Sequence, residues 1–319
     1  MATSRPVRTR ANARLGLGLA AVGRPAYITL GRDADLPAHR SEAVLEARAH
    51  EVLDAARELG IDYVDVARSY GLAEQFLRSW LEEADAHPFV ASKWGYRYTA
   101  GWRRDADQHE VKDHSLALFV QQWAETDRLL GRWLRLYQVH SLTSDSPLWE
   151  DHALLDALAH LRDQGCEIGF STSGPAQADA VRRGLELTVQ GRPLFTSVQS
   201  TWNLLERSVA PALEEAAAHG VRVVVKEALA NGRLALPGPA TVGLEQAARD
   251  HEVGLDALAI AAALTQPWAD VVLSGAVTVP QLTSNAAAGD LAGEPGLDTL
   301  VAPQAPAEYW AERSRLSWA

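Results

Sequence analysis

Short apolar runs alternate with longer amphipathic stretches along almost the whole chain, the pattern left by parallel strands joined through crossover helices. Eight runs read as strands. They begin near Leu15 (LGLGLA), Ile61 (IDYVDVA), Pro88 (PFVASKW), Arg135 (RLYQVHS), Glu167 (EIGFSTS), Phe195 (FTSVQS), Val221 (VRVVVKEAL) and Asp270 (DVVLSGA). Eight is the number that closes a (β/α)8 TIM barrel. Val221 to Val225 is apolar without alternation, as expected of a strand covered on both faces. Between the strands, Glu42 to Leu59 carries Val44, Leu45, Ala49, Val52, Leu53 and Ala56 on one helical stripe, and Gly60 ends it. Further helices are expected at Leu72 to Glu82, Ser115 to Leu130, His152 to Asp163, Gln177 to Leu187, Glu206 to His219 and Leu255 to Leu264.

Two stretches break this rhythm. Gly95 to Asp113, rich in charge and aromatics, follows the third strand and predicts a long loop over the barrel mouth. Leu291 to Pro306 is punctuated by Gly293, Pro295, Gly296, Pro303 and Pro306 before a helical pattern at Glu308 to Leu316, a C-terminal extension placed to cover the same mouth. No repeat or linker interrupts the pattern, so residues 1–319 read as one barrel domain, and 319 residues fit that size.

Composition narrows the partners. A formal charge of −11 and a pI near 5.4 set the surface against nucleic acid and anionic membranes. No apolar run approaches the roughly 18 residues of a membrane span. One cysteine, Cys166, leaves no internal disulfide and makes a reducing cytoplasm the expected compartment. The first fifteen residues hold Arg5, Arg8, Arg10 and Arg14 and no acid, faintly like a transit peptide, although an N-terminal arm or hairpin fits as well. Lysine occurs only at positions 93, 112 and 226 among 30 basic residues. Lys93 and Lys226 both end strand-like runs, where a compact amine differs most from a guanidinium.

Four polar residues collect at the C-terminal ends of such runs: Asp65, Tyr70, Lys93 and His140. In a parallel barrel that edge is where chemistry gathers. A free phenol, with a pKa of about 10, is a poor donor at neutral pH; an adjacent ammonium lowers that value. Lys93 can play this part for Tyr70, Asp65 can hold Lys93 by an ion pair, and His140 can orient a carbonyl. Such a set suits C=O reduction when a cofactor delivers hydride.

The segments VDVARSYG (Val64 to Gly71), VASKWGY (Val90 to Tyr96), LYQVHS (Leu136 to Ser141), GFSTSG (Gly169 to Gly174) and SVQSTWNLLER (Ser197 to Arg207) together resemble the aldo-keto reductases, in that family's order and spacing. The resemblance implies a barrel that binds a nicotinamide cofactor without a Rossmann domain, with Tyr70 as general acid. Ser171, Thr172 and Gln199 match the contacts to the nicotinamide amide. Lys226 and Glu227 stand where many members place a stacking aromatic and a serine. Leu229, Asn231 and Gly232 match a segment that wraps the pyrophosphate. Gly275, Gln281 and Asn285 lie in the loop and helix start that hold the adenosine phosphate, where many members carry a cation. Family habit gives NADPH as the cofactor, with NADH as the other possibility.

Taken singly, each tetrad residue has an ordinary structural explanation as a cap, a loop aromatic, a surface charge or a core histidine. Their joint placement favours function. Trp94, Trp102, Trp202 and Trp310 fall in mouth-facing segments and are candidates for an apolar substrate wall. Gly16-x-Gly18 lacks the third glycine of a phosphate loop and reads as a tight strand. His109, Glu110 and His114 lack the spacing of a zinc helix, so no metal is expected. Two other functions fit the residues less fully: a nicotinamide-binding sensor or regulatory subunit, suggested by Lys226 and Glu227, and a lyase or aldolase forming a Schiff base on Lys93. Sequence leaves the carbonyl substrate and the oligomeric state open.

Overall fold

The computed structural model describes residues 14–318. Eight parallel strands close into a barrel: β1 (Arg14–Gly18), β2 (Tyr63–Asp65), β3 (Phe89–Trp94), β4 (Leu134–Leu142), β5 (Glu167–Thr172), β6 (Ser197–Thr201), β7 (Arg222–Lys226) and β8 (Val271–Ser274). Each pairs with its sequence neighbour, and β1 closes on β8 through Arg14↔Val271 to Leu17↔Ser274. This is the expected (β/α)8 barrel, in a single domain. The arginine-rich start of the chain up to residue 13, where an arm, hairpin or transit segment was expected, lies outside the described residues.

The helices follow their caps and stripes. Glu42–Glu58 begins where the Ser41 hydroxyl accepts from the Val44 amide at 3.3 Å, and its inner stripe of Leu45, Ala49, Val52 and Leu53 is buried. Apart from Asp256 in its first turn, Leu255–Leu264 is apolar throughout, and it is buried at all positions from Ala257 to Leu264. Two helices differ from expectation. The helix after β6 starts only at Ala210, because Asn203 Oδ1 accepts from the amides of Leu205 and Glu206 and makes a turn there. Val242–His251, which has one buried residue, Leu244, is a helix whose weak stripe gave no signal.

The pleat explains how the barrel is filled. Tyr63, Ala91, Leu136, Val224 and Val271 pack against one another as an apolar layer inside it. Side chains two residues further along each strand rise to the next level on the same face. Those are Asp65, Lys93, Gln138, Lys226 and Leu273, with His140 one step above Gln138. Gly16 lets β1 pass this crowded interior, since a Cβ there would lie 2.8 Å from Val271 Cγ1 and 3.1 Å from Tyr63 Cδ1, which bears out the tight-strand reading.

The loop after β3 is partly ordered as a hairpin, Tyr96–Tyr98 pairing antiparallel with Glu110–Lys112. Gln122 clamps its base, accepting from the Gly95 amide at 2.9 Å and donating to the Tyr96 carbonyl at 2.8 Å. The C-terminal stretch runs irregularly to the helix Pro306–Ser314 and then to Trp318.

Candidate active site

The tetrad converges at the floor of the barrel mouth. Lys93 is fully buried and Asp65 nearly so. The Lys93 amine donates to Asp65 Oδ1, to the Val66 carbonyl at 3.2 Å and to the Tyr70 hydroxyl at 3.3 Å. His140 Nε2 lies 3.5 Å from that hydroxyl, and its Nδ1 lies 3.4 Å from Ser69 Oγ. Asp65 Oδ2 accepts from Gln199 Nε2 at 2.9 Å and from Gln138 Nε2 at 3.4 Å. Engaged with Asp65, Val66 and Tyr70 at once, the Lys93 amine is poorly placed to attack a carbonyl.

Electrostatics fix the protonation of Tyr70 and His140. Burial, followed by the Lys93 charge, holds the His140 pKa well below its ordinary 6.5, so the imidazole is neutral. Tyr70 departs from the simple expectation of an acidified phenol. Burial, then the Asp65 carboxylate, pushes its pKa well above 10, against a partial downward pull from Arg24. The carboxylate that positions Lys93 also cancels most of the charge with which the amine would stabilise a phenolate.

Above the tetrad opens a cavity of about 820 Å³, which Asp65, Tyr70, His140 and Gln199 line at one end and Gly275, Gln281, Ser284 and Asn285 at the other. Lys226, Glu227, Leu229, Asn231 and Gly232 line it between. The turn there needs unusual backbone: φ is 56° at Glu227, 58° at Asn231 and 91° at Gly232. It comes so close to Leu30 that a Cβ on Gly232 would lie 2.8 Å from the Leu30 carbonyl oxygen. Asn231 Oδ1 is buried without a partner, in a residue that faces the cavity. An orphaned acceptor facing a cavity of that volume, with the start of Val279–Ala286 among its walls, fits a dinucleotide better than a small substrate alone.

Several expected contacts fall elsewhere. The pleat separates Ser171 from Thr172. Ser171 Oγ accepts from the Ser141 amide at 2.8 Å, while the buried Thr172 hydroxyl bonds Ser200 at 2.7 Å and Gln177 at 3.2 Å. Neither lines the cavity, whereas Ser141 and Ser173 do. At the far end, Gln281 Nε2 donates to Asp35 at 2.7 Å and Asn285 Nδ2 to Asp256 at 2.6 Å, so both amides already serve carboxylates. No Lys or Arg among the described residues lines that end.

None of the four candidate tryptophans lines the cavity. Trp94 packs on Phe119 with ring centroids 5.0 Å apart, and Trp202 packs on Trp268 at 5.8 Å. Trp102 is held by its indole N–H on the Arg40 carbonyl at 2.8 Å, and Trp310 packs against Tyr309. Reading depth from segment position ignored which side of its element each ring takes. The aromatic wall is instead Tyr27, Tyr96 and Trp318. Trp318 stacks on His109 at 4.4 Å, under the Arg24 guanidinium at 4.7 Å. His114 donates from Nε2 to the His140 carbonyl at 2.8 Å.

Arg24 and Arg313 escaped the reading of the sequence, which weighed Glu110 only as a metal ligand. Arg24 is buried, donating to the Ser69 carbonyl at 2.9 Å and to Glu110 at 2.8 Å. Arg313 caps Glu227, with Nε 2.9 and 3.1 Å from the carboxylate oxygens. Glu110 lies in a segment already marked by its charge, but no pattern marked Arg24 or Arg313.

Comparison with known proteins identifies the family and the fold. The model of the Aldo/keto reductase family matches residues 14–293. Protein tas of Escherichia coli (strain K12) is 27% identical over 296 residues, spanning 75% of this chain and 84% of its own length. An aldo-keto reductase from Bacillus halodurans in its holo form superposes with a TM-score of 0.66 at 23% identity, covering 98% of this chain and 95% of that one. A glycerol dehydrogenase from Gluconobacter oxydans gives 0.66 at 21%, covering 92% and 93%. At those identities the two structures speak for the fold.

Proposed function

The chain belongs to the aldo/keto reductase family, and from that premise we propose that it reduces an aldehyde or ketone to an alcohol, with Tyr70 as the proton donor. One observation carries the reading: at the cavity floor the Tyr70 hydroxyl stands 3.3 Å from the Lys93 ammonium and 3.5 Å from His140 Nε2. A bound reduced nicotinamide supplies the hydride. The residues do the rest. Neutral His140 donates an N–H to the carbonyl oxygen and orients it. Tyr70 enters protonated and gives up its proton as negative charge builds on that oxygen, because an alkoxide is a stronger base than any phenolate. Lys93 then stands beside the new phenolate, and Asp65, braced by Gln199, keeps the amine in place.

For the dinucleotide, Asn231 Oδ1 and the Glu227–Gly232 turn supply the middle of the site. The adenosine end carries Asp35 and Asp256, which repel a 2′-phosphate and accept from a ribose hydroxyl. That arrangement supports NADH over the NADPH that family habit suggested.

The purified protein should oxidise NADH in the presence of a reactive aldehyde. Tyr70→Phe should lower turnover by about 10²- to 10⁴-fold, the usual weight of a positioned acid, while dinucleotide binding persists. Turnover within twofold of wild type in that variant would remove Tyr70 from the mechanism.

A further inference from the structure

β4 breaks its register with β5 at the residue that carries the tetrad imidazole. Val139 stands opposite Phe170 and Leu142 opposite Thr172, so His140 and Ser141 together face the single position of Ser171. An extra residue of this kind re-aims side chains and takes backbone groups out of the ladder. Ser141 takes φ of 55°, in the left-handed region that a serine seldom adopts. Such a conformation persists only where its surroundings hold it. Two side chains do so: Ser171 Oγ accepts from the Ser141 amide, and His114 Nε2 donates to the His140 carbonyl, both at 2.8 Å.

His114 is buried and precedes the helix Leu116–Leu130 by two residues. It does not line the cavity. A carbonyl oxygen only accepts, so Nε2 carries the hydrogen and Nδ1 must accept, which it does from the Ser146 hydroxyl at 2.9 Å. That hydroxyl accepts in turn from the Leu148 amide at 3.3 Å. Burial draws the His114 pKa down to about 4, so this neutral tautomer is the form present at neutral pH. The chain also leaves room for the ring: a Cβ on Gly95, where φ is 113°, would lie 2.7 Å from His114 Cδ2 and 2.9 Å from Nε2. What His114 holds is closely set. The His140 ring meets Tyr96 and Tyr70 at centroid distances of 5.0 and 5.5 Å, and its Nε2 lies 3.5 Å from the Tyr70 hydroxyl.

We propose that His114 is a positioning residue for the reaction: its hydrogen bond to the His140 carbonyl fixes the bulge at the end of β4, and with it the direction of the His140 imidazole. This rests on the carbonyl-reduction reading and adds to it a residue that never touches the substrate. Misplacing a reacting group by about 1 Å costs up to about 10²-fold in rate, so a bond one residue behind the imidazole carries weight in turnover.

The test follows reduction of a reactive neutral aldehyde. His114→Phe, which keeps a ring and removes the donor, should lower kcat by about 10- to 100-fold with dinucleotide Kd unchanged. His114→Gln, whose amide nitrogen reaches the same carbonyl, should recover most of the rate. In a His140→Ala background, with no imidazole left to aim, His114→Phe should cost less than about twofold more. Hydrogen exchange of the Ser141 amide gives a comparison without turnover: faster in His114→Phe, restored in His114→Gln. A protein that reduces no aldehyde yet shows this local, reversible change loses the reductase reading and keeps the bulge clamp. Should His114→Phe fail to fold, Ser146→Ala, which frees the far side of the ring, takes its place in the same cycle. A His114→Phe rate within twofold of wild type, equal losses with and without His140, or faster exchange throughout the barrel would overturn the proposal.

Discussion

The Tyr70 hydroxyl is subject to two opposed demands, and their balance sets how the site responds to pH. As the proposed proton donor it must be protonated on entry and able to part with the proton during reduction. Burial and Asp65 secure the first by raising its pKa well above 10; the approach of Lys93 at 3.3 Å serves the second once negative charge has formed. His140 is shifted the opposite way, its protonated form disfavoured by burial and by Lys93. Neither group changes state near neutrality. The pH profile of kcat/KM for a neutral aldehyde should therefore be flat from about pH 6 to pH 9, free of a histidine inflection near 6.5. A loss of one unit in log kcat/KM per pH unit below 6.5 would show that His140 is cationic in the free protein. The tetrad was legible because its members follow strand ends, where period-two alternation fixes which face a side chain takes. The same alternation sets the Ser171 and Thr172 hydroxyls on different partners, Ser171 on the Ser141 amide and Thr172 on Ser200 and Gln177.

Among the elements, the C-terminal helix Pro306–Ser314 buries Tyr309 and Trp310 in the main core and is tied down further by polar anchors. Arg313 holds Glu227, Arg233 holds Glu312 at 2.7 Å, and Asn203 donates to the Tyr309 hydroxyl at 2.9 Å. Arg313, followed by Lys226, brings the Glu227 pKa down to about 2 against the upward push of burial. A carboxylate depressed on folding contributes stability that is complete above its ordinary value near 4.5 and disappears as pH falls toward 2. Urea unfolding should thus show wild type losing stability between pH 4.5 and 3, with Glu227→Gln losing less over that interval. At pH 7 the same substitution leaves Arg313 without its counter-charge. Breaking a buried pair costs roughly 3–5 kcal/mol, and the partly open mouth puts this case toward the lower figure. Equal acid sensitivity in the two proteins would mean that Glu227 is not the anchor. Such anchors were illegible in the sequence: Glu227 and Arg313 are 86 residues apart, and no periodicity links them.

At the scale of the molecule, the barrel's eight strands were legible because each is a local pattern repeated in order. The cavity was less so, because its walls come from the ends of many elements. Tyr27 and Asp35 follow β1, Glu227 and Asn231 follow β7, and Gln281 and Asn285 follow β8. Two bridges already join these segments, Leu30 to the Asn231 carbonyl at 2.9 Å and Gln281 to Asp35 at 2.7 Å. A dinucleotide lying along the cavity would touch all three, so its affinity should appear as resistance of the whole barrel to unfolding. Saturation at 100 times Kd adds about 2.7 kcal/mol, and for a chain of this size each kcal/mol raises Tm by roughly 2–4 °C or somewhat less. NADH should raise Tm by several degrees, and NADPH at the same concentration by less, because in the proposed binding mode Asp35 and Asp256 would face the extra phosphate. Asp256→Ser should narrow that difference by relieving the repulsion. A larger shift with NADPH on wild type would show that the carboxylates do not govern the choice, and no shift with either dinucleotide would remove the cofactor from this cavity.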